Sequence, residues 1–231
     1  MSTFVLIHGA FRGGWAWQRV RPLLVAAGHD VHAPSLLGCG ELAAYADRVT
    51  GLDTWVDQVA GLLEHEDLTD VVLVGHSQGG VIATAVAAAA PKRIGLLAYV
   101  DGTVPLPGQR AVDVGPGAPA DLPPRHTLIP PRPLEPGGDL DAETAAWASA
   151  RLTPTPLAPS LDPMPAPLDG HSAEVPARYA FCSGTPEGYP SGTTRARLDA
   201  EGTPYDVINA GHDAPLTAPE AVAAWLMEGK A

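Results

Sequence analysis

Short, continuous apolar runs alternate along this chain with stretches whose apolar residues recur at helical spacing. Phe4-Val5-Leu6-Ile7, Val71-Val72-Leu73-Val74 and Ile94 to Val100 have the pattern of strands covered on both faces. Asp30 to Ala33 reads as a shorter strand ended by Pro34, and Arg178 to Cys182 and Tyr205 to Ile208 as two more. Between them the spacing predicts helices. Trp15 to Ala27 is one, stopped by Gly28; another is capped at Asp53-Thr54 and has Val56, Val59, Leu62 and Leu63 on one face. The alanine-rich Val81 to Ala87 and a short stretch at Arg195 to Ala200 are two more. The last helix opens on Thr217-Ala218-Pro219-Glu220, a capping box with proline in the first turn. Alternation of this kind predicts an α/β fold, a mainly parallel sheet flanked by helices. Such sheets bind ligands at the carboxyl ends of their strands, where Ser77, Asp101 and the His8-Gly9 loop all fall.

Proline breaks the rhythm once. From Pro105 to Pro176 the chain holds most of its 25 prolines, a density that forbids long helices and central strands. Within that stretch Asp139 to Leu152 is the exception, where Asp141 to Ala148 predicts one helix. The reading is a core of 1–104 and 177–231 interrupted by an ordered lid at 105–176; a disordered linker is the alternative. The 231 residues suit one such domain, and 45% hydrophobic residues are ample for its core. A net charge of −12 argues against nucleic acid or an anionic membrane as partner. Two cysteines, Cys39 and Cys182, make no disulfide framework and point to a reducing, cytoplasmic setting, with a single bridge as the alternative. Strand-like sequence from Thr3 leaves no space for a signal peptide, and no apolar stretch is long enough to span a membrane.

The first chemistry lies at Gly75-His76-Ser77-Gln78-Gly79, between the strand at 71–74 and an alanine-rich helix. Gly-x-Ser-x-Gly in strand–turn–helix context is the pattern of a nucleophile elbow, with Ser77 raised above the sheet. Gly75 and Gly79 let strand and helix approach around a strained turn. The amide groups opening the helix then face any negative charge that forms there. A glycine-rich helix start that only packs is the alternative. Neither Gly75 to Gly80 nor Gly9 to Gly14 spells a dinucleotide-binding fingerprint, and no Gly-Lys-Ser/Thr follows for a P-loop. No His-Glu-x-x-His or comparable spacing predicts a metal, and no cofactor is implied.

The chain resembles the α/β-hydrolase superfamily, and within it the branch of plant methylesterases, hydroxynitrile lyases and their bacterial relatives. Phe4 to Ala10, Gly14 to Trp17, Ala27 to Val31, Leu73 to Gly80, Tyr99 to Asp101 and Ala210 to Asp213 carry the likeness. It implies that His212 is the base for Ser77, in the order Ser–acid–His. The family's geometry implies oxyanion donors at the backbone N–H groups of Ala10 and Gln78, and structural roles for His8 and His76. His126 and His171 fall in the lid, at the surface or against substrate. The acid departs from the pattern. Phe181 to Glu187 holds no aspartate, and Thr185 stands near the expected place. Asp101, after the strand that follows the nucleophile helix, is the preferred acid, and Glu187 the other candidate. A turn or helix cap is the structural alternative for Asp101.

These residues predict a serine hydrolase that cleaves a small, apolar carboxylic ester or lactone through an acyl-enzyme. A second reading is a lyase or cyclase using the same serine and histidine. Hydroxynitrile-lyase relatives depend on an active-site lysine, and the lysines here, Lys92 and Lys230, sit in the wrong places. A non-catalytic binding protein is the third. Trp15, Trp17, Tyr45 and Trp147 are candidates for an apolar pocket wall, and the loop from Pro34 to Glu41 for its edge.

Overall fold

In the computed structural model, residues 1–115, 121–166 and 175–228 are described. Among these residues eight strands and seven α-helices follow one another. They are β1 (Thr3–Ile7), α1 (Arg21–Ala26), β2 (Asp30–His32), α2 (Leu52–His65), β3 (Val71–His76), α3 (Gly79–Ala89) and β4 (Ile94–Val100). Next come β5 (Leu128–Ile129), α4 (Ala142–Ser149), β6 (Thr155–Pro156), β7 (Ala177–Cys182), α5 (Pro190–Glu201), β8 (Asp206–Ile208), α6 (Ala214–Thr217) and α7 (Pro219–Glu228). Six strands form one parallel sheet in the order β2-β1-β3-β4-β7-β8. β5 and β6 pair as a separate antiparallel ribbon between β4 and β7.

The continuous apolar strands are explained by two cores. Val5, Ile7, Val71 and Leu73 face α2 and α3. Their neighbours Phe4, Leu6, Val72 and Val74 face Trp17, α1 and α7 on the other side. Successive side chains of a strand point to opposite faces, so a strand covered twice needs apolar residues throughout.

Several boundaries differ from the sequence expectation. The helix expected over Trp15 to Ala27 is a 3₁₀ turn at Gly14–Trp17 followed by α1. Pro22 has no N–H to give the Gln18 carbonyl, so it sits in the first turn of a new helix. α2 begins at Leu52, and its cap is tertiary: the Asp162 carboxylate accepts the Leu52 N–H at 2.8 Å. α5 starts at Pro190, well before Arg195, because proline suits a first helical turn. Thr217 does not open the last helix. It closes α6 and gives its hydroxyl to Asp139 at 2.6 Å.

Between β4 and β7 the chain forms the β5–β6 ribbon, α4 and two 3₁₀ turns. α4 falls where the sequence placed a helix and is capped by Asp141, whose carboxylate accepts the Thr144 N–H at 2.7 Å. This segment is bonded to the core at several points, including Asp162 to Leu52, Ser160 to Gln78 and Thr155 to Phe11.

Candidate active site

Ser77 stands on a turn that ordinary residues avoid, with φ of 54°. The turn is tight because glycine backbones touch. A Cβ on Gly75 would lie 2.6 Å from the Gly79 carbonyl oxygen, and one on Gly79 would lie 2.4 Å from that of Ile7. The Ser77 N–H donates to Val100 at 3.3 Å, and the Ser77 carbonyl accepts from Thr103 at 2.9 Å. Positive φ in a residue with a Cβ persists only where its surroundings over-determine it.

From the far end of the chain His212 arrives on the loop between β8 and α6. Its Nε2 lies 2.9 Å from Ser77 Oγ, and its Nδ1 lies 2.5 Å from Asp101 Oδ2. Asp101 follows β4, is buried, and also has positive φ, at 46°. The structure thus brings together Ser77, His212 and Asp101. Glu187 is on an exposed turn. Thr185 donates its hydroxyl to Asp101 Oδ2 at 2.5 Å. Burial pushes the Asp101 carboxyl up. The bond to the His212 ring, its charge and the Thr185 hydroxyl outweigh burial and hold the carboxyl below its ordinary pKa.

Both further histidines are locked. His8 Nδ1 donates to the Gly9 carbonyl at 2.9 Å, and its Nε2 accepts the Leu36 N–H at 3.0 Å. His76 Nε2 donates to the backbone carbonyl of His212 at 2.8 Å, steadying that loop. Burial pushes His8 down to about 4, and burial with the neighbouring His212 and Arg12 pushes His76 down as well. Unfolded rings protonate near pH 6.5, whereas these stay neutral in the fold, so stability is full above that pH and falls below it. We expect a loss of about 2 kcal/mol per ring between pH 7 and pH 5, above the range where most carboxylates titrate. Thermal melts across that window test it; an unchanged Tm contradicts neutral buried rings.

Of the two amide groups assigned to the oxyanion, Gln78 precedes the first turn of α3 and Ala10 follows β1. Among the described residues neither N–H donates to another protein group. The Gln78 side chain gives its amide to Ser160 at 2.9 Å.

Ser77, Gln78, Ala10 and His212 open into a cleft of about 1440 Å³. Its walls differ from those expected. Trp17 is core, Trp15 packs edge-on against Trp147 at 5.4 Å, Trp147 lies under Arg151, and Tyr45 lies against Arg48 at the surface. None of the four lines the cleft. Phe11, Tyr189, Ile129, Pro131, Leu134 and Leu157 do so instead. Proline and aliphatic residues of irregular segments have no periodicity to reveal such a role. The loop from Pro34 to Glu41 does not edge the cleft either; Leu36 and Cys39 are buried in the core, and Leu36 binds His8. His126 is exposed, and His171 and Lys230 lie outside the described residues. Lys92 is exposed at the amino end of β4.

Arg12 escaped the sequence reading. It is buried, pairs with Asp213 beside His212, and donates to the Ala10 carbonyl at 3.0 Å. It therefore ties the loop of Ala10 to the loop of His212. Cys39 and Cys182 are free and buried, on opposite faces of the sheet. Among the described residues no group of three or more His, Cys, Asp or Glu could hold a metal ion, and no helix is long and apolar enough to cross a membrane.

The chain is 40% identical over 124 residues to the carbendazim hydrolyzing esterase of Nocardioides sp. (strain SG-4G), a match covering 54% of this chain and 50% of that protein. It is 33% identical over 106 residues to methylesterase 7 of Arabidopsis thaliana, covering 45% and 41%. The chain thus spans half or less of the length of these curated relatives. An extracellular alpha/beta-hydrolase from a Paenibacillus species superposes with a TM-score of 0.79 at 23% identity, over 99% of this chain and 98% of the other. At that identity the likeness shows the fold. The relatives are those of the methylesterase branch that the sequence resembles. A model of the alpha/beta hydrolase family matches residues 4–225, nearly the whole chain, and to that family the chain belongs.

Proposed function

We propose that the protein is a serine hydrolase that cleaves a small, apolar carboxylic ester or lactone through an acyl-enzyme. The observation that carries the reading is the His212 ring bridging Ser77 Oγ at 2.9 Å and Asp101 Oδ2 at 2.5 Å at the opening of the cleft. His212 Nε2 takes the Ser77 proton as Oγ attacks the carbonyl carbon. Asp101 accepts from Nδ1–H, keeping the Nε2 lone pair on Ser77, and stabilises the imidazolium once it forms. The carbonyl π electrons move onto oxygen, which the Ala10 and Gln78 N–H groups receive. Collapse expels the alcohol with the proton from His212. Water, deprotonated by the same ring, adds to the acyl carbon; the bond to Ser77 Oγ breaks, Oγ takes the proton back from His212, and the acid leaves.

The segment 105–176 is the lid in this reading; its aliphatic and proline residues in the cleft favour an apolar acyl or alcohol group. Lys92, at the opposite end of β4 from Asp101, is far from where a lyase of the hydroxynitrile type needs its lysine. Free buried thiols on opposite faces of the sheet suit the reducing cytoplasm.

A fluorophosphonate probe is expected to label Ser77, located by peptide mass spectrometry, and short p-nitrophenyl esters to be turned over. Labelling without turnover of any ester or lactone would move the reading to a lyase or cyclase. Absence of both would leave a binding protein.

A further inference from the structure

The backbone beside the Ala10 N–H is held by residues far away in sequence. Phe11 has φ of 67°, a conformation that a bulky side chain rarely adopts. Five non-glycine residues among those described have positive φ, and Phe11, Ser77 and Asp101 are the three that border the cleft or its acid. Ser77 and Asp101 are held by bonds to the sheet and the turn beyond it: Ser77 to Val100 and Thr103, and the Asp101 N–H to Ala180 at 2.7 Å. Phe11 has no such support. Its N–H donates to Thr155 Oγ1 at 2.5 Å, and its carbonyl accepts from the Thr153 N–H at 2.9 Å. Thr155 is itself buried and fixed in β6 by pairing with Ile129 of β5.

The remaining groups of this turn are also occupied. The Ala10 carbonyl accepts from Arg12, and the Gly9 carbonyl from His8 Nδ1. From the Gly9 carbonyl to the Phe11 carbonyl, the Ala10 N–H is left as the one polar backbone group without a protein partner among the described residues. A strained residue relaxes when its restraint is removed; here relaxation would rotate the Ala10–Phe11 peptide unit, whose carbonyl Arg12 holds, and through the Ala10 Cα shift the adjoining Gly9–Ala10 unit that carries the Ala10 N–H.

We propose that Thr155 is a positioning residue for the oxyanion donor at Ala10, its hydroxyl holding Phe11 in the left-handed conformation and so fixing, through Ala10, the adjoining peptide unit whose N–H is left for the cleft. This rests on the reading of the site as a serine hydrolase. It gives the β5–β6 ribbon a task in the chemistry: the inserted segment completes the oxyanion site that β1 begins. Donors of this kind act by preorganisation, so a small misalignment weakens transition-state binding more than substrate binding.

The test compares Thr155→Val, which keeps the shape and loses the hydroxyl, with Thr155→Ser, which keeps the hydroxyl. Thr155→Ala runs alongside, so that one poorly folded variant does not decide the outcome. The probe is a trifluoromethyl ketone matched to the best p-nitrophenyl ester. Ser77 Oγ adds to its carbonyl carbon, the proton passes to His212, and the new oxyanion occupies the donor site. In Thr155→Val and Thr155→Ala, kcat is expected to fall about ten- to a hundredfold with KM within about twofold. Ketone affinity should fall by the same factor and affinity for the product acid should hold. Thr155→Ser is expected to stay within about threefold of the parent on every measure. Unchanged kcat and ketone affinity in both hydroxyl-less variants of an active parent would overturn this proposal and leave the hydrolase reading intact. Equal losses in kcat, product affinity and Tm, shared by Thr155→Ser, would assign Thr155 to packing alone. A parent that neither turns over esters nor takes the fluorophosphonate label would overturn both.

Discussion

Ser77→Ala is expected to lower kcat for ester hydrolysis about a million-fold, to the residual rate of a site that binds without a nucleophile. That factor corresponds to about 8 kcal/mol of transition-state stabilisation. The fold should be little affected. Alanine keeps the Cβ, so the strain at φ of 54° is the same, and the bonds that hold this turn are made by the Ser77 backbone. The Ala10 and Gln78 N–H groups proposed to receive the oxyanion are backbone groups that the substitution leaves in place. Steady-state kinetics on a p-nitrophenyl ester, beside a thermal melt, measure both halves of the expectation. Turnover within tenfold of the parent would show that another nucleophile, such as a water activated directly by His212, carries the reaction.

Asp101→Asn is expected to cost about ten-thousandfold in kcat, with KM nearly unchanged. The reason is the tautomer. Asp101 offers only acceptors to His212 Nδ1, so the ring keeps its proton there and presents a lone pair to Ser77. Asparagine has one acceptor and one donor at the same positions. The Thr185 hydroxyl, 2.5 Å from Oδ2, gives up its proton only to an acceptor, and the His212 ring competes for that same oxygen. An amide turned to donate to Nδ1 leaves the Nε2 proton pointing at Ser77, where it blocks proton removal. Glu187→Gln, on an exposed turn, is the matched control and should leave kcat unchanged. Near-normal turnover in Asp101→Asn, together with collapse in Glu187→Gln, would transfer the acid's role to Glu187.

Asp101 sits where the ends of two neighbouring strands meet. Thr185 follows β7 and Asp101 follows β4, and these strands are neighbours in the sheet. A side chain at the end of either reaches the same space beside His212. Here the carboxylate comes from β4, and the β7 side supplies a hydroxyl that donates to it. That hydroxyl helps keep the carboxyl ionised.

Much of the core was legible because strands covered on both faces leave continuous apolar runs. Phe4 to Ile7 and Val71 to Val74 fall inside β1 and β3, and the runs end where the cleft opens. The elbow was legible for a different reason: its glycines are required by backbone contact, so chemistry and geometry leave one local signature. The cleft walls were not. Tryptophans suggested a pocket by size alone, yet Trp17 is core and Trp147 is occupied by arginine. The actual walls, Pro131, Leu134 and Leu157 among them, come from segments with no period to read.

By itself the sequence determined an alternating α/β chain, a serine on a tight turn, a histidine near the end, and a proline-rich interruption. Each of these is encoded locally, in residues adjacent or one helical turn apart. Only the tertiary structure decided that Asp101 rather than Glu187 meets the His212 ring, that Arg12 pairs with Asp213, and that Thr155 holds Phe11. Those contacts join residues 111, 201 and 144 positions apart. A hydrogen bond depends on where the packed sheet and its insertion place two side chains, and that placement leaves no pattern in the residues between them.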